Sequence, residues 1–399
     1  MAQLEPWEKV YIRLAGSQTI EDLDEHLKYL SCVDCHEGNN KAPNNMEVAH
    51  EGLVLDPSEI LNNGKNTCGE SDCHESIAGS FKNSLHLQQW GYKKWLALRS
   101  GVDEFEQCPQ STKDGFASEC TDCHATCGDC HIAVPNSAGG GFPKFKYHRF
   151  FKTPDQENNC TACHGTRVGH DFEGDYDIFP PRPEDVHAEM GFTCMNCHDQ
   201  TEMHSAAPQN KDRYEYELLP SCEDGCHTED LSTANTYHST HFDDMSCYVC
   251  HSQPYNNCTS CHVEGQWQTD PNYTVTENFK IGLNPRKTES GRFRHKFATL
   301  RRIPIDRDSY ENWGPASADL PAYDDYPTWK YTTPHSIRKY TARTDTSGGV
   351  QCWESCHTKE GFGNRENLKY YLFADDVDED EKKANESVVV DGHLPDGWE

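Results

Sequence analysis

The sequence has few apolar residues and few positive charges for its length. Of its 399 residues, 35% are hydrophobic, and 66 acidic side chains outnumber 36 basic ones, giving a formal net charge of −30. Nucleic acids and anionic membrane surfaces both attract clustered Lys and Arg, so both classes of partner are disfavoured. No run approaches the ~20 apolar residues of a transmembrane helix. We expect an acidic protein that faces cationic groups, metal ions or other proteins.

Large apolar side chains are also too few to build an ordinary core for a chain of this size. Gly (28) and Pro (21) are plentiful, and a chain of this composition buries too little apolar surface to offset its ordering entropy. We therefore expect something other than side chains to fill much of the interior.

Cysteine, in contrast, is abundant and regularly placed. Twenty of the 21 cysteines form ten motifs, numbered here in chain order, in which a His directly follows the second Cys. Seven motifs have two residues between the cysteines, two have three and one has four. The paired cysteines are Cys32 and Cys35, Cys68 and Cys73, Cys120 and Cys123, Cys127 and Cys130, Cys160 and Cys163, Cys194 and Cys197, Cys222 and Cys226, Cys247 and Cys250, Cys258 and Cys261, and Cys352 and Cys356. The histidines that follow them are His36, His74, His124, His131, His164, His198, His227, His251, His262 and His357.

The Cys-x-x-Cys-His pattern is the attachment signal of c-type haem. The two thiols form thioethers with the haem vinyl groups, and the His becomes the proximal iron ligand. Wider spacers bulge the loop but still let both sulfurs reach the vinyls. Disulfides do not need a His after each second Cys, zinc sites pair two such units or add distant His ligands, and iron–sulfur sites use other spacings. The sequence therefore predicts ten covalent haems.

The whole chain resembles multihaem c-type cytochromes, on the strength of the ten motifs between residues 32 and 357. Its acidic, loop-rich character, and its supply of roughly one further His per haem, are similar to those of extracellular filament-forming cytochromes (cytochrome nanowires). The resemblance implies a mainly irregular fold with short α-helices and minimal β-structure, organised around a chain of closely packed haems.

The remaining histidines nearly match the number of second axial ligands that ten haems need. Of 22 histidines, ten are proximal and twelve are left. We expect the distal ligands to be His50, His86, His148, His170, His187, His204, His238, His241, His295 and His335. His26 and His393 are expected to lie outside this set, and Cys108 to be a free or buried thiol rather than a thiolate ligand. With only six Met residues, mostly bis-His, low-potential haems are expected.

The motifs are unevenly spread along the chain. Residues 1–64 carry haem 1, residues 65–205 carry haems 2–6, residues 206–270 carry haems 7–9, and residues 271–399 carry haem 10 with a partly basic stretch and an acidic tail. In CTDCHATCGDCH (120–131), two residues separate motifs 3 and 4, which makes their haems immediate neighbours.

Three stretches between the motifs have local character. An amphipathic helix is predicted over residues 76–99, and an extended strand over the sequence NYTVTENFKIGL. The basic residues, interpreted as a cover for haem propionates, a docking surface or an ordinary solvated run, are Arg286, Lys287, Arg292, Arg294, Lys296, Arg301, Arg302 and Arg307. The acidic run at 375–381 is interpreted as a disordered, solvating tail, and a divalent cation site there is possible but unsupported.

Three functions are compatible with this chemistry. The first is long-range electron transfer as the subunit of an extracellular filament, favoured by the basic stretch and the single outlying haem near each end. The second is a discrete periplasmic or cell-surface electron carrier, and the third is a multihaem reductase with one open haem. We expect an electron carrier rather than an enzyme, exported to the cell exterior. Because MAQLEPWEKV lacks the features of a signal peptide, we expect the chain to be the mature form.

Overall fold

Short helices joined by irregular chain make up most of the fold. The computed structural model describes residues 26, 29–41, 44–60, 67–121, 124–132, 150, 152–174, 182–223, 225–256, 276–277, 279–303, 305–345, 347, 356–357, 368–396 and 398. The α-helices are Cys32–His36, Met46–Ala49, Glu75–Phe81, Leu85–Gln88, Trp90–Arg99, Gln110–Glu119, Cys127–His131, Thr161–His164, His170–Glu173, Val186–Glu189, Gln200–His204, Thr236–His241, Cys247–His251 and Lys382–Asn385. The prediction of a mainly irregular fold with short helices is confirmed.

Single turns of 3-10 or π-helix fill several connections. The 3-10 turns are Thr67–Gly69, Phe105–Gln107, Cys194–Asn196, Arg213–Glu215, Leu231–Thr233, Gly291–Phe293, Glu311–Trp313, Tyr323–Asp325 and Ala374–Asp376. The π-helical turns are Gln156–Cys160 and Gly165–Gly169. No described helix is long and apolar enough to cross a membrane.

Three of the motifs with two spacer residues form a single helical turn. Cys32–His36, Cys127–His131 and Cys247–His251 are α-helical over all five residues. In motif 4 the backbone N–H of Thr126 donates to Asp129 at 2.8 Å, which fixes the start of the turn. Because residues i, i+3 and i+4 share one helix face, this turn places both cysteines and the His on the same side.

The helix predicted over residues 76–99 is instead divided into three. Ser84 accepts the backbone N–H of Leu87 at 3.1 Å and so begins a new helix. Gln89 then takes a left-handed conformation, with φ of 53°, and ends that helix after one turn. The apolar periodicity is real, since Phe81 and Leu96 are buried, but local capping overrides it.

A small antiparallel sheet contributes residues to two apolar core clusters. Its strands, in spatial order, are β1 (Lys280–Leu283), β2 (Phe297–Arg302) and β3 (Trp329–Tyr331). β1 pairs Ile281 with Thr299, and β3 pairs Tyr331 with Leu300. The central strand is buried along its whole length. A separate two-stranded ladder joins Tyr255–Asn256 to Thr276–Glu277. The extended structure predicted in NYTVTENFKIGL is thus present where the structure describes it.

The chain divides into two units. The first unit comprises residues 1–93, 120–164 and 194–219, and the second comprises residues 94–119, 165–193 and 220–399. Motifs 1–6 therefore belong to the first unit, and motifs 7–10 and the sheet to the second. The two units do not coincide with the four segments that were defined from the spread of the motifs. Residues 165–193 belong to the predicted segment 65–205, but in the structure they group with the C-terminal half of the chain.

The acidic run at 375–381 is folded and not a disordered tail, although all of its acidic side chains except Glu381 are exposed. The carboxylate of Glu381 is only 2% exposed and accepts two hydrogen bonds from Arg302, at 2.7 and 3.2 Å. Thr328 donates to the same carboxylate at 2.8 Å. Part of the basic stretch is likewise paired within the chain, since Arg294 holds Glu223 through two hydrogen bonds. These basic residues contribute to internal ion pairs.

Candidate functional site: facing histidine pairs

Six histidines that end a cysteine motif each face a second His from elsewhere in the chain. Their ring centroids lie between 5.7 and 6.3 Å apart. The pairs are His74 with His26, His164 with His86, His131 with His204, His227 with His187, His251 with His238, and His357 with His241. Each pair lies within one unit.

The spacing of these pairs matches two imidazoles on opposite sides of one metal ion. A bond from a metal ion to an imidazole nitrogen is about 2.0 Å long, as for zinc. Two such bonds in line place the nitrogens about 4 Å apart and the ring centroids about 6 Å apart. The Nε2 atoms of His26 and His74 are 3.5 Å apart, and their centroids 5.8 Å. The pairs therefore fit a metal that takes one His on each side.

The other ring nitrogen is anchored in several of these histidines. Nδ1 of His251 donates to the carbonyl of Arg338 at 3.1 Å, and Nδ1 of His238 donates to the carbonyl of Leu231 at 2.9 Å. His187 is held in the same way by Asp185, at 2.8 Å. Metal-binding histidines characteristically donate one N–H to a carbonyl or carboxylate, which fixes the tautomer and leaves Nε2 for the metal.

Burial keeps many of the paired imidazoles neutral, which is the form that binds a metal. Desolvation lowers the pKa of His86, which is opposed in part by the charge of Glu202. Desolvation also lowers the pKa of both members of the His241 and His357 pair, and of His251. Protonation does not compete with metal binding at these sites near neutral pH.

One short helix supplies a facing His to two motifs. His238 and His241 lie three residues apart in Thr236–His241, so they share a helix face. His238 faces motif 8 and His241 faces motif 10. Cys250 and Cys356 of the same two motifs border one apolar cluster with the sheet residue Ile281. Motifs 8 and 10 are therefore neighbours in the second unit, although about a hundred residues separate them in sequence.

The first cysteines of three pairs of motifs lie side by side. Cys68 is beside Cys127, Cys160 beside Cys194, and Cys222 beside Cys247. These contacts connect motif 2 with 4, motif 5 with 6, and motif 7 with 8. In motif 4, burial raises the pKa of the second thiol, Cys130, to about 12, so it remains protonated. Sulfurs of different motifs thus come close together in both units.

Three other proximal histidines have different surroundings. His36 donates from Nδ1 to the carbonyl of Val54 at 2.8 Å, and His198 is 2.8 Å from Glu202. His124 has its Nδ1 on the carbonyl of Thr121 and its Nε2 2.7 Å from Glu59. Desolvation alone would lower the pKa of His124, but the hydrogen bonds to Thr121 and Glu59 raise it. A carboxylate, and not a second His, occupies the ligand side of His124.

Some of the expected distal histidines face a motif His in the described part of the chain. His86, His187, His204, His238 and His241 face a proximal His, and so does His26, which the sequence analysis had left out of the ligand set. Of the other expected distal residues, His50 and His170 are exposed, His335 is half-buried and His295 is buried. No sequence signal marked His26, whose ring also stacks on Phe150 at 4.7 Å.

Some predicted site residues lie outside the described part of the chain. They are Cys123, Cys258, Cys261, Cys352, His148 and His262. Cys108 is buried, 3% exposed, and forms no disulfide within the described residues. His393 is exposed in the C-terminal segment.

The donor set as a whole suits a haem better than a bare ion. Across the residues described, no three His, Cys, Asp or Glu side chains gather as a metal site would require. A porphyrin brings four nitrogen ligands of its own, so its iron needs only one imidazole on each face. Paired imidazoles beside half-buried or exposed cysteines meet that need. No protein-family model, curated protein or solved structure matches this chain.

Proposed function

We propose that this chain is an electron-transfer protein that carries ten covalently attached c-type haems, most of them with two His ligands. The observation that carries the proposal is the set of six facing pairs, each of which joins a motif His to a His outside any motif. If histidines packed together by chance, pairs of two motif histidines or of two other histidines would also be expected. All six pairs instead combine one motif His with one His outside the motifs.

The chain's own residues would hold and tune these groups. Each motif would supply two thioether sulfurs and a proximal imidazole, and the helix Thr236–His241 would supply two distal imidazoles. When bound, the haem iron supplies a one-electron redox couple. Two axial histidines fill the iron's coordination sites, which favours electron transfer over substrate binding. Close spacing of the motifs then sets the distances over which electrons move.

The cofactor part of the proposal is tested on the exported protein. Pyridine haemochrome spectra and the denatured intact mass should agree on ten haems per chain. The ferric and ferrous spectra should be dominated by low-spin haem. A metal analysis that finds zinc in place of iron would overturn the proposal.

We further propose that the protein assembles into an extracellular filament. The support is compositional: the chain is strongly acidic and supplies roughly one further His per haem, with 22 histidines in all. Electron microscopy of native material should show uniform filaments whose subunit mass equals that of the haem-loaded chain. Isolated particles at the same concentration would instead support a discrete periplasmic or cell-surface carrier.

One observation favours a multihaem reductase as a second candidate. Glu59 lies 2.7 Å from Nε2 of His124, where the six paired motifs have an imidazole. A carboxylate is a weak iron ligand that a small substrate can displace. Rapid turnover of nitrite or hydroxylamine by the reduced protein would support this candidate. If the rate equals that of free haem, the protein is an electron carrier only.

A further inference from the structure

Motifs 1, 2 and 4 of the first unit contact one another in that order. Thr67, next to the first Cys of motif 2, donates its hydroxyl to the carbonyl of Cys35 in motif 1 at 3.1 Å. Motif 2 in turn reaches motif 4 where the sulfurs of Cys68 and Cys127 lie side by side. A second, buried contact supports this one, since Ser58 donates to Thr126 at 2.9 Å.

The Ser58 contact is closely packed. A Cβ atom on Gly128, inside motif 4, would lie 2.6 Å from the Ser58 hydroxyl. Ser58 is 2% exposed and Thr126 is 5% exposed. Ser58 lies ten residues before the first Cys of motif 2, but its neighbour Pro57 accepts the backbone N–H of Thr67 at 3.1 Å. The segment that packs on motif 2 thus also packs directly on the first turn of motif 4.

Motifs 4, 5 and 6 continue the series. The buried amide of Asn159, just before motif 5, donates to the carbonyl of Asp129 in motif 4 at 2.7 Å. Gln156 accepts the backbone N–H of Cys194, in motif 6, at 3.0 Å. The sulfurs of Cys160 and Cys194 lie side by side as well. Each motif is thus joined to the next, and motif 4 has both motif 2 and motif 5 as neighbours.

We propose that the haems of the first unit follow the order 1, 2, 4, 5, 6, and that haem 3 is a branch attached at haem 4 and not a link in the line. The inference rests on the proposed function. Two residues separate His124 from Cys127, so haem 3 must still adjoin haem 4. The direct contact of motifs 2 and 4 makes haem 4 the junction. Electrons moving from haem 2 to haem 5 then pass through haem 4 without visiting haem 3.

The surroundings of motif 3 agree with a side position. Its first carbonyl, on Cys120, accepts the side-chain amide of Gln89 at 2.7 Å. Its imidazole, on His124, faces Glu59 instead of a second His. A haem with a carboxylate on its distal side would differ in potential from its bis-His neighbours. Such a difference is tolerable on a branch and would be an obstacle within a line.

The iron positions decide the question directly. In an electron-microscopy or crystal structure of the haem-loaded protein, the irons nearest to that of haem 4 should be those of haems 2, 3 and 5. The iron of haem 3 should have haem 4 as its one close neighbour in the first unit. An iron of haem 3 lying between those of haems 2 and 4 would overturn the inference. The same structure with fewer than ten haems would instead count against the proposed function.

A matched pair of variants supplies a second, spectroscopic test. The double variants C120A/C123A and C127A/C130A should each lose one haem by intact mass. Haems in close contact give a split circular-dichroism signal in the Soret band. Loss of haem 4 should remove a large share of that signal, because the proposed order gives haem 4 three close neighbours, haems 2, 3 and 5. Loss of haem 3 should remove clearly less, and equal losses would contradict the branch.

Discussion

The imidazoles of His238 and His251 face each other at 6.2 Å, while each donates its Nδ1 hydrogen to a backbone carbonyl. The two residues lie on separate helices, Thr236–His241 and Cys247–His251. These hydrogen bonds leave Nε2 of each ring available to a metal ion, which suits the proposed binding of one iron between the two rings.

Replacement of His238 by Ala should open one haem out of ten. The eighth haem would keep His251 but lose its distal ligand, so its iron should become high-spin or bind water. We expect a high-spin ferric signal of roughly one tenth of the haem in electron paramagnetic resonance. His393→Ala is the matched control, since that His is exposed in the C-terminal segment. A purely low-spin spectrum for His238→Ala would contradict the assignment of this ligand.

The angles between paired rings should produce two classes of low-spin spectrum. The planes of His131 and His204 are 16° apart, whereas those of His86 and His164 are 86° apart. Parallel imidazoles split the iron d orbitals strongly, whereas perpendicular imidazoles leave two of them nearly equal in energy. This splitting determines the shape of the low-spin signal. Low-temperature spectra should therefore show a minor rhombic signal and a major, strongly axial one. Loss of the rhombic signal in His204→Ala would identify it, and an unchanged signal would refute the angle.

Substitution of the buried Glu381 should strongly lower the stability of the fold. Its carboxylate is buried against Arg302, Thr328 and Tyr323. Glu381→Ala would leave the Arg302 charge without its main partner, at a cost of about 3–5 kcal/mol in the free energy of unfolding. Glu381→Gln should cost less because it keeps some of the hydrogen bonds. Urea denaturation followed by far-ultraviolet circular dichroism measures both, with exposed Glu379 changed to Ala as the control.

The sheet should not tolerate a methyl group at Gly282. A Cβ there would lie 2.2 Å from a methyl group of Leu300 and 2.6 Å from the carbonyl of Val388. Gly282→Ala should cost about 1–3 kcal/mol in the free energy of unfolding, because the packed core must shift. Gly79→Ala is the control, since nothing lies within 4 Å of its Cβ position on an exposed helix. That change should be neutral or stabilising by up to about 1 kcal/mol, and equal effects would contradict the packing.

The grouping of each motif's two cysteines and His could be predicted from sequence because their spacing is local. In motif 4, Cys127, Cys130 and His131 fall within one helical turn, so spacing alone defines the group. The partner of each proximal His is set by the tertiary fold instead. His86 faces His164, and His26 faces His74, across dozens of residues. No local pattern distinguishes such a His from one on the surface.

Packing also explains the elements that the sequence misrepresented. The apolar stripe over residues 76–99 predicted one helix, but Ser84 and Gln89 divide it. The acidic run at 375–381 has the composition of a solvated tail. It folds nevertheless, since Arg302 from the central strand pairs with Glu381 in the interior. Composition cannot reveal that a distant Arg compensates a buried carboxylate.

The most direct test of the account is the intact mass of the exported protein under denaturing conditions. Covalent attachment predicts the mass of the chain plus ten haems, one for each Cys-His motif, and this mass should persist after extraction with acidified organic solvent. A mass equal to the bare chain, with its 21 cysteines still reactive as thiols or joined in disulfides, would contradict the account.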